Sequence, residues 1–145
     1  MIPFALFRCY RCGNVWRPRQ SSVRTCPNCK SRLWNVPKTP LVPPFDPDNR
    51  VWKTLVEPHR EEILQIVRKY HGRDVRVFGS VRRGMTHRGS DLDLLVRFER
   101  GASLLDQIGL QQELQTRLRR KVDVVNDASI FWLLEPQIRA EAIPL

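Results

Sequence analysis

An α/β chain in two unequal parts is what this sequence of 145 residues predicts, on three observations. Two Cys-x-x-Cys pairs lie in the first 30 residues. Five prolines, Pro37, Pro40, Pro43, Pro44 and Pro47, then fall within eleven residues. Beyond them, short β-branched runs alternate with longer runs whose apolar residues recur at helical spacing. Residues 1–36 are therefore expected to form a small module and residues 37–50 a semi-extended linker poor in backbone donors. Residues 51–145 are expected to form the second domain.

The first module rests on its cysteines. Cys9-Tyr-Arg-Cys12 and Cys26-Pro-Asn-Cys29 use all four in the chain, with thirteen residues between the pairs. Each pair offers two thiolates on one tight turn, which suits tetrahedral zinc. Gly13 and Pro27 favour such turns. Two disulfides are the first alternative, and a cytoplasmic protein disfavours them. A redox pair is the second, and no thioredoxin-like strand–helix context supports it. Four thiolates close the coordination sphere, so the expected ion is structural: a zinc ribbon. Trp16 and Trp34 should pack so small a module.

Charge points the same module toward a partner. The net charge is +10; nine Lys/Arg face two Asp/Glu before Val51, against 16 and 13 afterwards. Arg8, Arg11, Arg17, Arg19, Arg24, Lys30 and Arg32 surround the cysteine pairs with no acid among them. Such a surface suits DNA, RNA or an acidic protein face alike. No apolar run reaches the length of a membrane span. The opening Met-Ile-Pro-Phe-Ala-Leu-Phe lacks the charged start and cleavage site of a signal peptide. A cytoplasmic location is expected.

In the second domain, residues 55–70 read as a helix, with Pro58 in its first turn and Glu61 and Glu62 early. Ile63, Ile66, Val67 and Tyr70 form its apolar stripe, and Gly72 is a stop signal. Residues 75–78 read as a strand ending at Gly79-Ser80, and 92–98 as another. A second helix spans 104–118 with Leu104, Ile108, Leu114 and Leu118 inward, closed by Arg119, Arg120 and Lys121. A strand follows over 121–125. A last helix covers about 129–143, carrying Ile130, Phe131, Leu133, Leu134 and Ile138, with a kink or break expected at Glu135-Pro136.

The carboxylates carry the chemistry. Period two in a strand puts Asp91 and Asp93 on one face and Leu92 and Leu94 on the other. Two adjacent carboxylates repel, and holding both ionised calls for a counter-charge. A divalent cation supplies it, and hard oxygen ligands suit magnesium. Asp123 interrupts the apolar run Val122-Asp123-Val124-Val125, where burial is costly unless it is paired or binds metal. Gly79 lets the backbone approach a ligand closely, and Ser80 can offer its hydroxyl and N–H to a phosphate. Arg82, Arg83 and Arg88 can hold further phosphate charge. His87 reads as an ordinary loop histidine.

Gly79-Ser80, ten residues, then Asp91-Leu92-Asp93, with Asp123 on a later strand, resembles the nucleotidyltransferase superfamily of DNA polymerase beta type. Its small members are the minimal nucleotidyltransferases, which include antitoxins paired with HEPN-domain toxins. Arg83-Gly84 and Ser90 also fit those small members. The likeness covers residues 51–145. It implies a mixed sheet flanked by helices and transfer of AMP from ATP to a hydroxyl, releasing pyrophosphate. It implies two magnesium ions at Asp91, Asp93 and Asp123, with Gly79, Ser80, Arg83 and Ser90 around the nucleotide. For the antitoxin members it implies a tyrosine on a HEPN toxin as acceptor. The rival class is a non-catalytic module that neutralises a partner or regulates transcription through the basic ribbon.

Overall fold

The computed structural model describes residues 6–19, 22–36, 42–85, 90–132 and 134–145. The ribbon has two short antiparallel strands, β1 (Phe7–Arg8) and β2 (Val15–Trp16). Its core is aromatic. Phe7 stacks on Trp34 with centroids 5.2 Å apart, and Trp16 meets Trp34 edge-on at 5.1 Å. The Trp34 indole N–H donates to the Val23 carbonyl at 3.2 Å. The two tryptophans thus pack the module as expected.

The second domain is a four-stranded mixed sheet in the order β5-β4-β3-β6. β3 (Gly72–Phe78) runs antiparallel to β4 (Leu92–Phe98) and to β6 (Ile143–Pro144), and β5 (Val122–Asn126) runs parallel to β4. β3, β4 and β5 pair in sequence order, while β6 returns to the far edge beside β3. The parallel step from β4 to β5 needs a crossover, and helix α3 (Leu104–Leu118) provides it. Helix α1 (Arg60–Lys69) and α3 bury Ile63, Ile66, Val67, Leu110 and Leu114 against Val75, Val77, Leu92, Leu94, Val96, Val122 and Val124. A short α2 (Gly79–Arg82) follows β3, and α4 (Glu135–Glu141) precedes β6.

Several expectations about helices are corrected. The first does not run unbroken from residue 55. A π-helical segment Trp52–Val56 and a 3-10 turn Glu57–His59 lead into α1. Pro58 sits at the start of that 3-10 turn, where its missing N–H breaks regular α-helical bonding. Gly72 opens β3, and the left-handed residue that follows α1 is His71, at φ +60°. Glycine is needed at 72 because a Cβ there would stand 2.5 Å from the Val67 Cγ1. On α3, Leu104 and Ile108 are 70% and 43% exposed, so they do not face the core. Polar residues occupy part of the inward face instead. Gln107 and Gln115 donate to the Val124 and Val122 carbonyls at 2.8 and 3.2 Å, and Gln111 accepts from the Val124 N–H at 3.1 Å. These glutamines satisfy the backbone of β5, an edge strand that would otherwise present open hydrogen-bonding groups.

The last helix is confined to Glu135–Glu141. Pro136 lies in its first turn, where no intrahelical N–H is required, so it starts the helix rather than kinking it. Before it, Asp127–Ser129 form a 3-10 turn, and Phe131 and Leu134 are exposed. Leu133 lies outside the described residues, as do Pro37, Pro40, His87 and Arg88. No helix among the described residues is long and apolar enough to cross a membrane.

Candidate active site and metal centre

The register of the sheet brings the expected residues to one end. Phe78, the last residue of β3, pairs with Asp93 on β4, and Asp93 pairs with Asp123 on β5. Leu92 and Leu94 are fully buried in the core, which leaves Asp93 on the opposite face. Gly79 stands at φ +74°, and a Cβ there would lie 2.1 Å from the Asp93 Oδ2. Both the left-handed backbone and the close carboxylate therefore demand glycine at this turn.

The three carboxylates differ in environment. Asp93 is half-buried, while Asp123 is exposed. Asp123 avoids the cost of burial among its apolar neighbours: strand alternation sinks Val122 and Val124 and turns Asp123 outward. Asp91 accepts a hydrogen bond from Lys121 Nζ at 2.6 Å. That bond and the Asp91 charge raise the Lys121 ammonium above its ordinary range. At Asp93, burial and then the charges of Asp123 and Asp91 push the carboxyl up to about 6, against the opposing pull of Arg83. Negative charge is thus concentrated where only part of it is compensated. Hard oxygen donors in that state fit a divalent cation such as magnesium.

Opposite the carboxylates, α2 begins at Gly79, so Ser80 lies in its first turn. Arg83 caps that helix and donates to the carboxylate of Glu141 from α4. The other Glu141 oxygen accepts from the Gly79 N–H at 3.1 Å, and Glu141 is only 2% exposed. Arg82, one of the arginines weighed for phosphate contact, is buried. Its Nη1 donates to the Pro43 carbonyl at 2.6 Å. The guanidinium is turned into the fold, where it holds the segment before the domain. Asn49 works beside it, donating to the Val81 and Arg82 carbonyls at 3.0 and 3.2 Å. The same amide's oxygen accepts from the Val51 and Trp52 N–H groups. The Ser90 carbonyl accepts from Arg120 at 3.3 Å. Two of the three basic residues after α3, Arg120 and Lys121, therefore reach the site region, a role beyond the helix closure expected of them.

At the other end of the chain, the four cysteine sulfurs lie within 4.8 Å of one another. Cys9 and Cys29 Sγ are 3.7 Å apart, as are Cys12 and Cys26 Sγ. Zinc–thiolate bonds of about 2.3 Å in a tetrahedron give sulfur separations of about 3.8 Å, so the cluster fits that ion. The two turns are built alike. Gly13 N–H donates to the Cys9 carbonyl at 2.9 Å and Lys30 N–H to the Cys26 carbonyl at 3.0 Å. Both donors sit at positive φ, +80° and +59°. The thiols titrate unequally. The Asn14 backbone, ahead of burial and neighbouring side chains, draws Cys12 down to about 6. At Cys29 the Ser31 backbone pulls downward, but burial and the adjacent thiols prevail and push it up to about 11. Four sulfurs this close cannot all ionise without a cation.

The model of the nucleotidyltransferase domain family matches residues 60–144, more than half of the chain. The chain belongs to that family. Nucleotidyl transfer is therefore its class of chemistry, and the matched span contains β3 to β6 with the Gly79 turn and all three aspartates. A Methanocaldococcus jannaschii protein named "Putative protein adenylyltransferase" is 38% identical over 84 residues, covering 58% of this chain and 90% of the relative. The protein adenylyltransferase MntA of Thermococcus cleftensis is 35% identical over 78 residues, covering 54% of this chain and 76% of the relative. A solved "putative minimal nucleotidyltransferase" superposes with a TM-score of 0.58 at 43% identity, over 64% of this chain and 94% of that one. A crystal structure of a toxin–antitoxin with AMP-PNP gives a TM-score of 0.52 at 26% identity, over 58% and 69%. This nucleotidyltransferase adds the four-cysteine module ahead of the shared domain.

Proposed function

We propose that this nucleotidyltransferase transfers AMP from ATP to a tyrosine hydroxyl on a cognate HEPN toxin and so acts as its antitoxin. The observation that carries the reading is the parallel register that sets Asp93 beside Asp123, with Gly79 cleared of any side chain to admit the Asp93 carboxylate. The relatives named as protein adenylyltransferases, and the toxin–antitoxin holding AMP-PNP, support the donor and the kind of acceptor.

Asp91, Asp93 and Asp123 would hold two magnesium ions. Bound there, the ions would neutralise the triphosphate and lower the pKa of the acceptor hydroxyl. Gly79, Ser80, Arg83 and Ser90 line the nucleotide side, with the Ser80 hydroxyl and N–H directed to phosphate. Asp123, exposed at the edge, takes the tyrosine proton as the oxygen bonds to the α-phosphorus. The α–β phosphoanhydride bond breaks and pyrophosphate leaves. A tyrosine of unperturbed pKa about 10 needs that help near neutral pH. Residues 1–36 hold one structural zinc ion through Cys9, Cys12, Cys26 and Cys29.

The test incubates the protein with magnesium, ATP and the product of the adjacent gene, then weighs that product by intact mass spectrometry. Added mass in steps of one AMP is expected. Tight binding that silences the partner with no added mass, whichever nucleoside triphosphate is supplied, would replace this reading with a non-catalytic antitoxin.

A further inference from the structure

The first acidic residue of the chain is Asp46, so the ribbon has no carboxylate of its own to neutralise its arginines. On one side of it, Trp16, Arg17, Pro18, Arg19, Val23 and Arg24 line an open groove of about 490 Å³. Arg17, Arg19 and Arg24 are exposed, while Trp16, Pro18 and Val23 are partly buried between them. The groove therefore offers three guanidinium groups along a floor of aromatic and apolar carbon. We propose that this groove is a binding site for single-stranded nucleic acid, separate from the nucleotidyl-transfer site.

Three features select that ligand. Guanidinium groups bind phosphate through paired N–H donors, and three of them in one groove match a phosphodiester backbone. The apolar floor matches bases, whose faces stack on aromatic carbon whatever their sequence. An acidic peptide would satisfy the charges and leave that floor unmatched. A duplex is disfavoured by the shape of the ribbon. Its described residues form two two-residue strands and turns, with no helix to enter a major groove.

The experiment uses the full zinc-loaded chain and fluorescence anisotropy. The probes are oligouridylate and oligothymidylate of about 12 nucleotides, a DNA duplex of the same length, and a fluorescent polyglutamate of equal charge. The single strands are expected to bind at least tenfold tighter than the duplex and the peptide. Preference between the RNA and DNA arms then names the natural source. A log–log salt slope near −0.7 per contacted phosphate is expected. Replacing Arg17, Arg19 and Arg24 together by Ala should weaken binding at least tenfold and flatten that slope by about 2. Arg24→Glu alone should weaken it by a smaller factor. Zinc content and AMP transfer should be unchanged in both variants. Equal binding of polyglutamate, or wild-type binding by the triple variant at full zinc content, would overturn the proposal.

Discussion

Glu141 holds Arg83 and the Gly79 N–H with its two oxygens, joining α4 to the turn that faces the carboxylates. A carboxylate only 2% exposed is stable there because both oxygens are used. Glu141→Gln keeps the shape but loses the charge that Arg83 answers. It should cost about 1–3 kcal/mol in urea unfolding, and raise the KM for ATP more than it lowers kcat, because Arg83 is no longer fixed. Glu141→Ala leaves Arg83 and the Gly79 N–H unpartnered and should be worse on both counts. Wild-type KM and stability in both variants would show that the clasp does nothing.

Asp93 is crowded by Asp123 and Asp91 in a half-buried position. Asp93→Asn removes one of three like charges at nearly constant volume. AMP transfer should fall below detection, while the melting temperature without divalent metal should stay level or rise. Magnesium should stabilise the wild type and leave the variant unchanged. Retained transfer in the Asp91→Asn/Asp93→Asn double variant would end the assignment of these carboxylates.

Much of this site could be read in the sequence, because its parts sit on strands whose period is two. The end of one strand at Phe78, the next strand from Leu92 to Phe98, and the span of α3 from Leu104 to Leu118 all took the form expected. The parts that were missed are polar residues whose partners lie far along the chain. Glu141 is 62 residues from Gly79 and reads locally as a helix surface residue. Gln107, Gln111 and Gln115 recur every four residues, a pattern visible in sequence. An apolar stripe search discards them, and so places Leu104 and Ile108 inward in their stead. The buried Asn49 and Arg82 were hidden for the same reason. Apolar periodicity reports burial but not the hydrogen bonds that make polar burial tolerable.

Zinc should be measurable at about one ion per chain by elemental analysis, since four thiolates within 4.8 Å of one another would close a tetrahedral site. Cys26→Ser or strong chelation should unpack the Phe7–Trp16–Trp34 cluster, seen as a red shift in tryptophan emission. The sheet domain should keep its own unfolding transition, because its core draws on residues from Val51 onward. The ribbon does touch it, with Arg8 over the Trp132 ring at 4.5 Å and Tyr10 edge-on at 6.1 Å. Loss of the ribbon should therefore shift that transition slightly rather than abolish it. A metal-free preparation with residues 8–34 fully ordered would refute the zinc assignment.

Asp127 supplies a pH dependence that does not involve the active-site carboxylates. Arg97 of β4 reaches it at 2.9 Å, and Arg139 of α4 at 2.6 Å. Burial would push this carboxyl up, but hydrogen bonds from Arg97 and Arg139 outweigh it and hold it below the ordinary range. The unfolded chain has no such pair, so its Asp127 takes up a proton first as pH falls. In the window between the two values the unfolded state binds more protons, and stability rises with pH. The contribution is complete above the unfolded value of about 4 and is lost as pH drops through the lower folded value. Asp127→Asn removes both ion pairs, so urea midpoints of the two proteins should differ at pH 7 and converge toward pH 2 to 3. A midpoint difference that stays constant across that range would mean that Asp127 acts by packing, not by charge.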